Sequence, residues 1–401
     1  SLGNAMFFSI FIFGLGFSLA IPPLISEAHS QHDHNRINSI FRHGFVVNII
    51  LAFVLMLLIF GIIPLMPYLN QPKEILPDTI TFLSIVTLSI IPFMIFQTMR
   101  EVSEGLSFTL EVTKATIFAN IIDVILNYVF IEYFKMGVAG SAWATFIARV
   151  AMMVFLYYVL IKEEKTRRYI KDFSLKIKDF TKEMFEKLIR LGFPTALQLF
   201  FEVTAFAGAA FICGLISAKD IAAHQIALSM ASFTFNLCVG FSVASTVMIG
   251  RKLGEKDFVN LEKVGFNNLK IAFIFMLMCG LVFILGKDVL PTFFTKKEDI
   301  AVVELASQLM IIAALFQLSD GIQVTALGCL RGIQDVKIPS ILTFIAYWVI
   351  TIPLGYYLTV PMKMGAFGMW IALGIGLTIS AVLLVIRFRN LSEKRIKAQS
   401  N

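Results

Sequence analysis

The sequence predicts an all-α polytopic membrane protein, and three observations support that prediction. Hydrophobic residues make up 58% of the 401 residues and charged residues only 15%, whereas about a quarter of a typical soluble domain is charged. The charged residues cluster, and the apolar runs between them have about the 20 residues that a helix needs to cross a bilayer core. Because the backbone must satisfy its own hydrogen bonds in lipid, we interpret these runs as helices.

Eleven apolar runs can be marked along the chain, with charged or polar segments between them. Their approximate bounds are 1–26, 45–69, 78–100, 110–132, 137–161, 188–214, 220–250, 266–287, 300–329, 338–360 and 365–388. The four cysteines lie within or at the edge of these runs and form no CxxC pair: Cys213, Cys238, Cys279 and Cys329. This placement is typical of buried small side chains rather than of disulfides or metal ligands.

The basic residues are unevenly distributed between the predicted loops. Most of the 34 Lys and Arg residues fall in one set of alternate loops, above all in residues 162–190. The opposite set holds few, among them Lys73, Lys296 and Lys297. Because cytoplasmic loops are enriched in Lys and Arg, we place the 162–190 segment and the C-terminus in the cytoplasm. The net charge of +7 therefore indicates a membrane orientation and not a nucleic-acid partner.

Short motifs recur in the two halves of the chain in the same order. GFS at 16–18 recurs at 240–242, and KMG at 135–137 recurs at 363–365. At nearly the same shift, three single residues of the first half match residues of the second: Asp33 with Asp257, Gly105 with Gly328, and Lys114 with Lys337. The repeat predicts two six-helix lobes related by a parallel pseudo-twofold repeat.

The one long charged stretch separates the two predicted lobes. We predict an N-terminal lobe at 1–161 (helices 2–6), a cytoplasmic linker at 162–187, a C-terminal lobe at 188–388 (helices 7–12) and a cytoplasmic tail at 389–401. The second half has a helix before its GFS motif that has no counterpart in the first half. We therefore expect the first helix of a twelve-helix protein to be absent and eleven to be present. Within the linker, FTKEMFEKLI is predicted to form an amphipathic helix along the membrane surface.

Two acidic residues lie far inside apolar runs. Glu202 follows Gln198 by one helical turn, and Asp320 is flanked by Gln317 and Gln323 at three-residue spacing. An acid at the bilayer centre costs about 2.5–3.5 kcal/mol on insertion scales, so such residues face the interior of a bundle. Burial favours the protonated form, whereas a bound cation favours the charged form. The pair is thus predicted to bind a proton or a cation, possible Na⁺ included; the alternative is that each acid only hydrogen-bonds to neighbouring helices.

The first half also places polar residues on one helix face. Asn120, Asp123 and Asn127 follow helical spacing, and Arg149 is the one cation inside an apolar run. We weigh a functional role of Asp123, in addition to Glu202 and Asp320, against a purely structural pair of Asp123 with Arg149.

Histidines are interpreted as structural or solvated rather than as metal ligands. His29, His32, His34 and His43 fall in a segment predicted to be a solvated loop with little to fix a metal's geometry. His224 is predicted to be a hydrogen-bonded interface residue. The chain has no GxxxxGK[ST] loop and no plausible Ser/His/Asp set, so neither ATP hydrolysis nor another enzymatic activity is expected, and no cofactor is expected.

Several strings of the chain resemble the multidrug and toxic compound extrusion (MATE) family in its NorM-type branch. They are LIRLGFPTALQLFFEVTAFA, AAHQIALSMASF, LFQLSDGIQVTALGCLRGIQDVKIPS and, in the first half, FQTMREVSEGLSFTLEVTKATIFANIIDVILNYVFI. The resemblance implies two six-helix lobes around a V-shaped central cavity. It also implies a monomeric transporter of the inner cell membrane that exports organic cations in exchange for Na⁺ or H⁺ by alternating access.

The resemblance also assigns roles to residues. It implies that Glu202 and Asp320 are the cation-coupling acids of the second lobe, and that Asp123 replaces an asparagine that is usual in the branch. The residues expected to line the cavity or the substrate path are Gln198, Gln317, Gln323, Asn120, Asn127 and Phe316. Asn127 matches the family's second asparagine, whereas Phe316 replaces a tyrosine.

Three other functions stay open: a lipid-linked oligosaccharide flippase of the same broader superfamily, a channel, and a membrane-bound enzyme. A flippase would favour a basic cavity for a pyrophosphate group, whereas the buried candidates here are acidic. The sign of the charge at the site therefore discriminates between an exporter of cations and a flippase.

Overall fold

The computed structural model describes residues 2–68, 76–171, 173–295 and 299–400, and all regular secondary structure in these ranges is helical. Ten helices of the described residues are long and apolar enough to cross a membrane, or eleven if the bent pair Leu76–Leu88 and Ile90–Gly105 forms one span. The prediction of an all-α multi-pass membrane protein is confirmed. Lys73, Lys296 and Lys297 lie outside the described residues.

The chain divides into two compact units, residues 1–197 and 198–401. The first unit contains eight helices and the start of a ninth: α1 (Leu2–Ser18), α2 (Ile21–Ser30), α3 (His34–Ile62), α4 (Leu76–Leu88), α5 (Ile90–Gly105), α6 (Thr109–Tyr128), α7 (Gly137–Lys162), α8 (Glu164–Lys171) and α9 (Lys182–Ile216). A π-helical segment, Val129–Tyr133, follows α6. The boundary between the units falls inside α9, and the predicted domain limits at 161/162 and 187/188 stay predictions.

The second unit is built on long helices. After α9 these are α10 (Ala218–Gly254), α11 (Phe258–Gly286), α12 (Ile300–Gly332), α13 (Lys337–Phe344), α14 (Ile352–Thr359) and α15 (Gly365–Ser400). A π-helical segment, Ile345–Thr351, joins α13 to α14. Small and aromatic residues of α9, α10, α12 and α15 form an apolar core of this unit, with Trp370 and Tyr347 fully buried.

The residues matched by the internal repeat have matching local structures. Asp33 is the N-cap of α3 and accepts from the backbone N–H of Arg36 at 2.9 Å. Asp257 is the N-cap of α11 and accepts from the backbone N–H of Asn260 at 3.2 Å. The hydrogen bonds from Asn260 hold the pKa of Asp257 below its usual value. Since a carboxylate satisfies free N–H groups at a helix start, both halves begin this helix by the same device.

A turn is repeated as well. In the first KMG motif, Lys135 and Gly137 have φ of 55° and 56°, and in the second, Lys363 and Gly365 both have φ of 58°. A left-handed lysine costs free energy that glycine does not. The same positive φ values at both turns indicate that the two halves share the geometry of the turn as well as its sequence.

Two glycines matched by the repeat lie where helices approach closely. A Cβ at Gly105 would lie 2.6 Å from the Cβ of Ile25, and a Cβ at Gly328 would lie 2.8 Å from the Cα of Ser242. Both separations are too short for real carbon atoms. Only glycine therefore lets α5 pack on α2, and α12 on α10, at these distances.

Two expectations about the segments predicted to be cytoplasmic are wrong. Only His32 of the histidine segment lies in an exposed turn, between α2 and α3. His29 lies in α2, His34 begins α3, and His43 is buried within α3. His43 is fixed because its Nδ1 lies 2.7 Å from the Ser39 carbonyl oxygen and its Nε2 accepts from the N–H of Thr181.

The second wrong expectation concerns FTKEMFEKLI. From Lys182 onward this segment forms the first turns of the long helix α9 rather than a separate surface helix. The apolar spacing of the segment is continuous with that of the apolar run after it. The sequence pattern therefore predicted a helix here but did not predict that it continues into the membrane-spanning part of α9.

Candidate functional site

Glu202 lies in a polar cluster inside the second unit. It belongs to α9, and its side chain is only 6% exposed. Gln323 of α12 donates from Nε2 to its Oε1 at 3.3 Å, and the Tyr347 hydroxyl lies 3.5 Å from the same oxygen. Gln198, one turn earlier on α9, is a further hydrogen-bonding neighbour. Three separate segments thus converge on one carboxylate.

Tyr347 links the amide and the acid. Its hydroxyl lies 3.1 Å from Oε1 of Gln323, which makes Gln323 the nearer of its two acceptors. Since a phenol has one hydrogen to donate, it can satisfy Gln323 or Glu202 but not both fully. Tyr347 lies in the π-helical segment Ile345–Thr351, and the wider turn of a π-helix is frequent at functional sites.

Asp320 belongs to the same cluster. It is 4% exposed, and its charge interacts with that of Glu202. Gln317, one turn before it on α12, is fully buried, and neither its amide nitrogen nor its oxygen has a hydrogen-bond partner among the described residues. Buried amides in native proteins are almost always satisfied. The Gln317 oxygen is therefore available to a ligand beside Asp320.

The two carboxylates have no close basic partner. In the part of the chain that the structure describes, no Lys or Arg nitrogen lies within 4.0 Å of Glu202 or Asp320. The charge of Arg331 also acts on Glu202. Two buried acids that share one cluster cannot both stay charged cheaply without a positive ion. The cluster is therefore suited to take up a proton or a small cation bound by oxygen atoms.

Apolar side chains enclose the cluster on one side. Phe316 is 4% exposed and packs with its ring centroid 5.5 Å from Trp370 and 6.2 Å from Phe206. Phe206 in turn lies 5.9 Å from Tyr347. In this structure Phe316 is thus part of the apolar core, and its predicted place in a substrate path stays a prediction.

Sequence reasoning missed Tyr347 and Trp348. The indole N–H of Trp348 donates to the carbonyl oxygen of Phe201 at 3.1 Å, which ties the π-helical segment to α9 next to Glu202. Both residues lie in the apolar string FIAYWVITIPLG, where aromatic residues do not stand out. The one available signal was the presence of two hydrogen-bonding aromatic residues side by side in an otherwise apolar run.

The polar residues of α6 lie in the first unit. Asn120 is exposed, and Asp123 and Asn127 are half-buried. Asn127 donates to the backbone oxygen of Asp123 at 2.9 Å, and Oδ1 of Asp123 has no hydrogen-bond partner among the residues described. Their roles as coupling and cavity residues stay predictions.

Two structural expectations are corrected. The described ion pairs do not include Asp123 with Arg149, because no nitrogen of Arg149 lies within 4.0 Å of that carboxylate; Arg149 instead donates to the Ser89 hydroxyl. His224 is fully buried, but neither ring nitrogen has a hydrogen-bond partner in the described ranges. It packs against Trp370, with 5.9 Å between ring centroids.

The four cysteines are free, and three of them are buried, as expected; Cys279 is half-exposed. No group of three or more His, Cys, Asp or Glu residues that could hold a metal ion occurs in the described ranges. A small cation at the cluster would therefore need amide or hydroxyl oxygens in addition to the two acids.

Comparison with known proteins gives consistent matches. The family model MatE matches residues 1–129 and 194–357. The chain is 30% identical over 398 residues to the multidrug resistance protein NorM of Photobacterium profundum, covering 97% of this chain and 86% of the relative. It is 31% identical over 403 residues to a probable multidrug resistance protein NorM of Agrobacterium fabrum, covering 99% and 86%. Among solved structures, the eukaryotic MATE transporter AtDTX14 matches with a TM-score of 0.88 at 17% identity, over 99% of this chain and 89% of that one.

Proposed function

The chain belongs to the MatE family, and on that premise we propose that it is a multidrug efflux transporter that exports organic cations in exchange for Na⁺ or H⁺. The observation that carries the proposal is the buried pair Glu202 and Asp320, which has no Lys or Arg nitrogen within 4.0 Å among the described residues. The names of the relatives support efflux of several drugs. The exchange of ions rests on the acidic pair.

The oxygen donors of the cluster fit a proton or Na⁺. Besides the two carboxylates, the cluster offers the unpartnered amide oxygen of Gln317. Carboxylate and amide oxygens suit hard cations. A proton would instead be held on one of the two carboxylates. The amide of Gln323 can hydrogen-bond to Glu202 whether that carboxyl group is protonated or charged. Both ions therefore stay candidates, and no cofactor is needed for either.

The mechanism follows from the charge of the cluster. Without an external ion, the two acids repel each other, and the arrangement of α9 and α12 is under electrostatic tension. Uptake of one positive charge removes the repulsion and lets Tyr347 bond to Gln323 alone. The ion can drive a change between outward-open and inward-open states only if it binds these states with different affinity. We attribute that difference in affinity to a change in the distance between α9 and α12 at the cluster, which would alter how closely the two acids surround the ion.

The remaining predictions follow from this function. The protein acts in the lipid bilayer of the inner cell membrane, as a monomer, with its C-terminus in the cytoplasm. Its substrates are organic cations, and Gln198, Gln317 and Gln323 contact the path near the acids. No observation here favours the flippase alternative, because the buried charge of the cluster is acidic.

Proteoliposomes containing the full chain are expected to transport a fluorescent organic cation such as ethidium against its gradient when a Na⁺ or pH gradient of opposite direction is imposed. Dye fluorescence follows the transport, which should stop when an ionophore dissipates the gradient. Protein-free liposomes are the control. Transport that requires ATP, or none with either gradient, contradicts the proposal. Movement of a lipid-linked oligosaccharide without an ion gradient would favour the flippase.

Tyr347→Phe is expected to lower the concentration of the coupling ion that gives half-maximal transport by about fivefold. The hydroxyl competes with the ion for Glu202, and one net hydrogen bond is worth about 1 kcal/mol. Rates measured against Na⁺ concentration or pH check the shift. Tyr356→Phe, an exposed tyrosine in the same half, is the matched control. An unchanged or raised half-maximal concentration would count against a role of Tyr347 at the ion site.

A further inference from the structure

The guanidinium of Arg149 lies among three phenylalanine rings in the first unit. Its central carbon is 5.2 Å from the ring centroid of Phe7, 5.1 Å from that of Phe11 and 5.2 Å from that of Phe93. Phe7 and Phe11 are each 4% exposed. A cation over an aromatic face within about 6 Å is attracted by the ring's negative centre. Three faces at almost equal distance form an aromatic cage, by which we mean Phe7, Phe11 and Phe93.

The cage is built by two helices, and Ser89 supplies a directional acceptor beside it. Phe7 and Phe11 are one turn apart on α1, and their rings stack with 5.1 Å between centroids. Phe93 of α5 meets Phe11 edge to face at 4.8 Å. Ser89, at the 43° bend between α4 and α5, donates its hydroxyl to the carbonyl oxygen of Val86 and accepts from Nη1 of Arg149 at 2.7 Å.

The cage, rather than an acid, stabilises the guanidinium. Asp123, the acid whose charge acts on Arg149, is too far away for an ion pair, as described above. A cation deep in an apolar run is costly unless it is paired or solvated. Here three π-faces and one hydroxyl take that place. Rings around a cation are the arrangement with which proteins recognise quaternary ammonium ligands, and an arginine guanidinium is attracted to ring faces in the same way.

We propose that the aromatic cage with Ser89 is a binding site for a guanidinium or small quaternary ammonium group, and that Arg149 occupies it as a tethered ligand for which organic cations compete. Arg149 is half-buried, so part of its side chain is accessible from outside the packed interior. The competition with a transported cation rests on the proposed function. The affinity of the cage for a cation does not, because it follows from the geometry of the first unit alone.

The test removes the tethered ligand and supplies a free one. In the full chain purified in detergent, Arg149→Ala leaves a cage of guanidinium size, and millimolar guanidinium is expected to raise its thermal unfolding midpoint while the wild type is unaffected. Guanidinium should bind Arg149→Ala at least about tenfold more tightly than it binds the wild type, since desolvated cation–π contacts are worth about 2 kcal/mol. Urea, a neutral molecule of the same shape, is the matched probe and should have no effect. Arg149→Ala/Phe11→Leu keeps the apolar volume but removes one ring face and should lose the gain.

Each outcome decides for or against the cage. Stabilisation by guanidinium in Arg149→Ala alone supports it. An equal effect of urea, an equal effect in the Phe11→Leu double variant, or no effect in Arg149→Ala overturns it. If Arg149→Ala does not fold, Arg149→Gln keeps a donor for Ser89 without the charge and is measured in the same way. If neither folds, recovery of folded protein from cells grown with guanidinium is the readout, and no recovery overturns the proposal. Because none of these measurements needs transport, a failed cage and a failed exporter are distinguishable.

Discussion

Glu202→Gln and Asp320→Asn are each expected to reduce gradient-driven efflux to the level of protein-free vesicles while the protein still inserts and folds. Each change removes a negative charge that the coupling ion would neutralise and keeps the shape of the side chain. Two buried acids without a close basic partner destabilise the folded state. The amide variants are therefore expected to unfold at a temperature equal to or higher than that of the wild type. The gain in the free energy of unfolding is expected to be at most about 1–3 kcal/mol.

The opposite signs of the two effects separate function from structure. If the acid were purely structural, its amide variant would be less stable than the wild type. The transport by that variant would then fall only in proportion to the fraction of protein that is folded. The measurements are ethidium transport in proteoliposomes and thermal unfolding of the same preparation. Glu111→Gln, which removes a half-buried acid paired with Lys114 at 2.8 Å, is the control and should leave both unchanged. Wild-type transport in both cluster variants would defeat the assignment.

Gly328→Val is expected to remove most of the folded protein. A Cβ at this position would lie 2.8 Å from the Cα of Ser242 and even closer to its carbonyl oxygen, so α12 would have to move away from α10. The carbonyl of Gly328 also accepts from the Thr246 hydroxyl at 3.0 Å, and this bond would lengthen. Overpacking of this kind typically costs about 1–3 kcal/mol, and a branched side chain against backbone costs more. Monodispersity in detergent and the thermal midpoint measure the loss.

The chain provides a matched glycine for comparison. A Cβ at Gly240, on α10, would meet nothing within 4 Å. Gly240→Ala should therefore fold normally or gain slightly, because alanine favours a helix over glycine by about 1 kcal/mol. A stable Gly328→Val protein would show that the crossing of α10 and α12 is more open than the structure has it.

The sequence predicted the spans well, because crossing a bilayer demands a long apolar run whatever the packing around it. It also predicted the repeat, and Asp33 and Asp257 show why: a capping carboxylate must stand at a fixed place before its helix. The 43° bend at Ser89 was not predicted, since both sides of the bend are equally apolar. The same holds for the π-helical segment, whose extra residue per turn leaves no trace in apolar periodicity.

At the site, the sequence predicted the acids but not their surroundings. Glu202 and Asp320 stand out because charge is rare in an apolar run. Tyr347 does not stand out, because its place in the site depends on its contact with Glu202, which lies 145 residues earlier in the chain. His43 was misjudged for a similar reason, since the N–H that it accepts belongs to Thr181, 138 residues later. Contacts between distant segments carry most of what sequence reasoning missed.

The separation of Glu202 from its partners also has a consequence for biosynthesis. Gln323 and Tyr347 follow Glu202 by 121 and 145 residues. At about 5–20 residues per second, the ribosome finishes α9 several seconds or more before either partner exists. During that interval the nascent helix carries its carboxylic acid without the amide and the phenol that bond to it in the finished bundle. The helix α9 must therefore enter the membrane while its acid still costs about 2.5–3.5 kcal/mol on insertion scales.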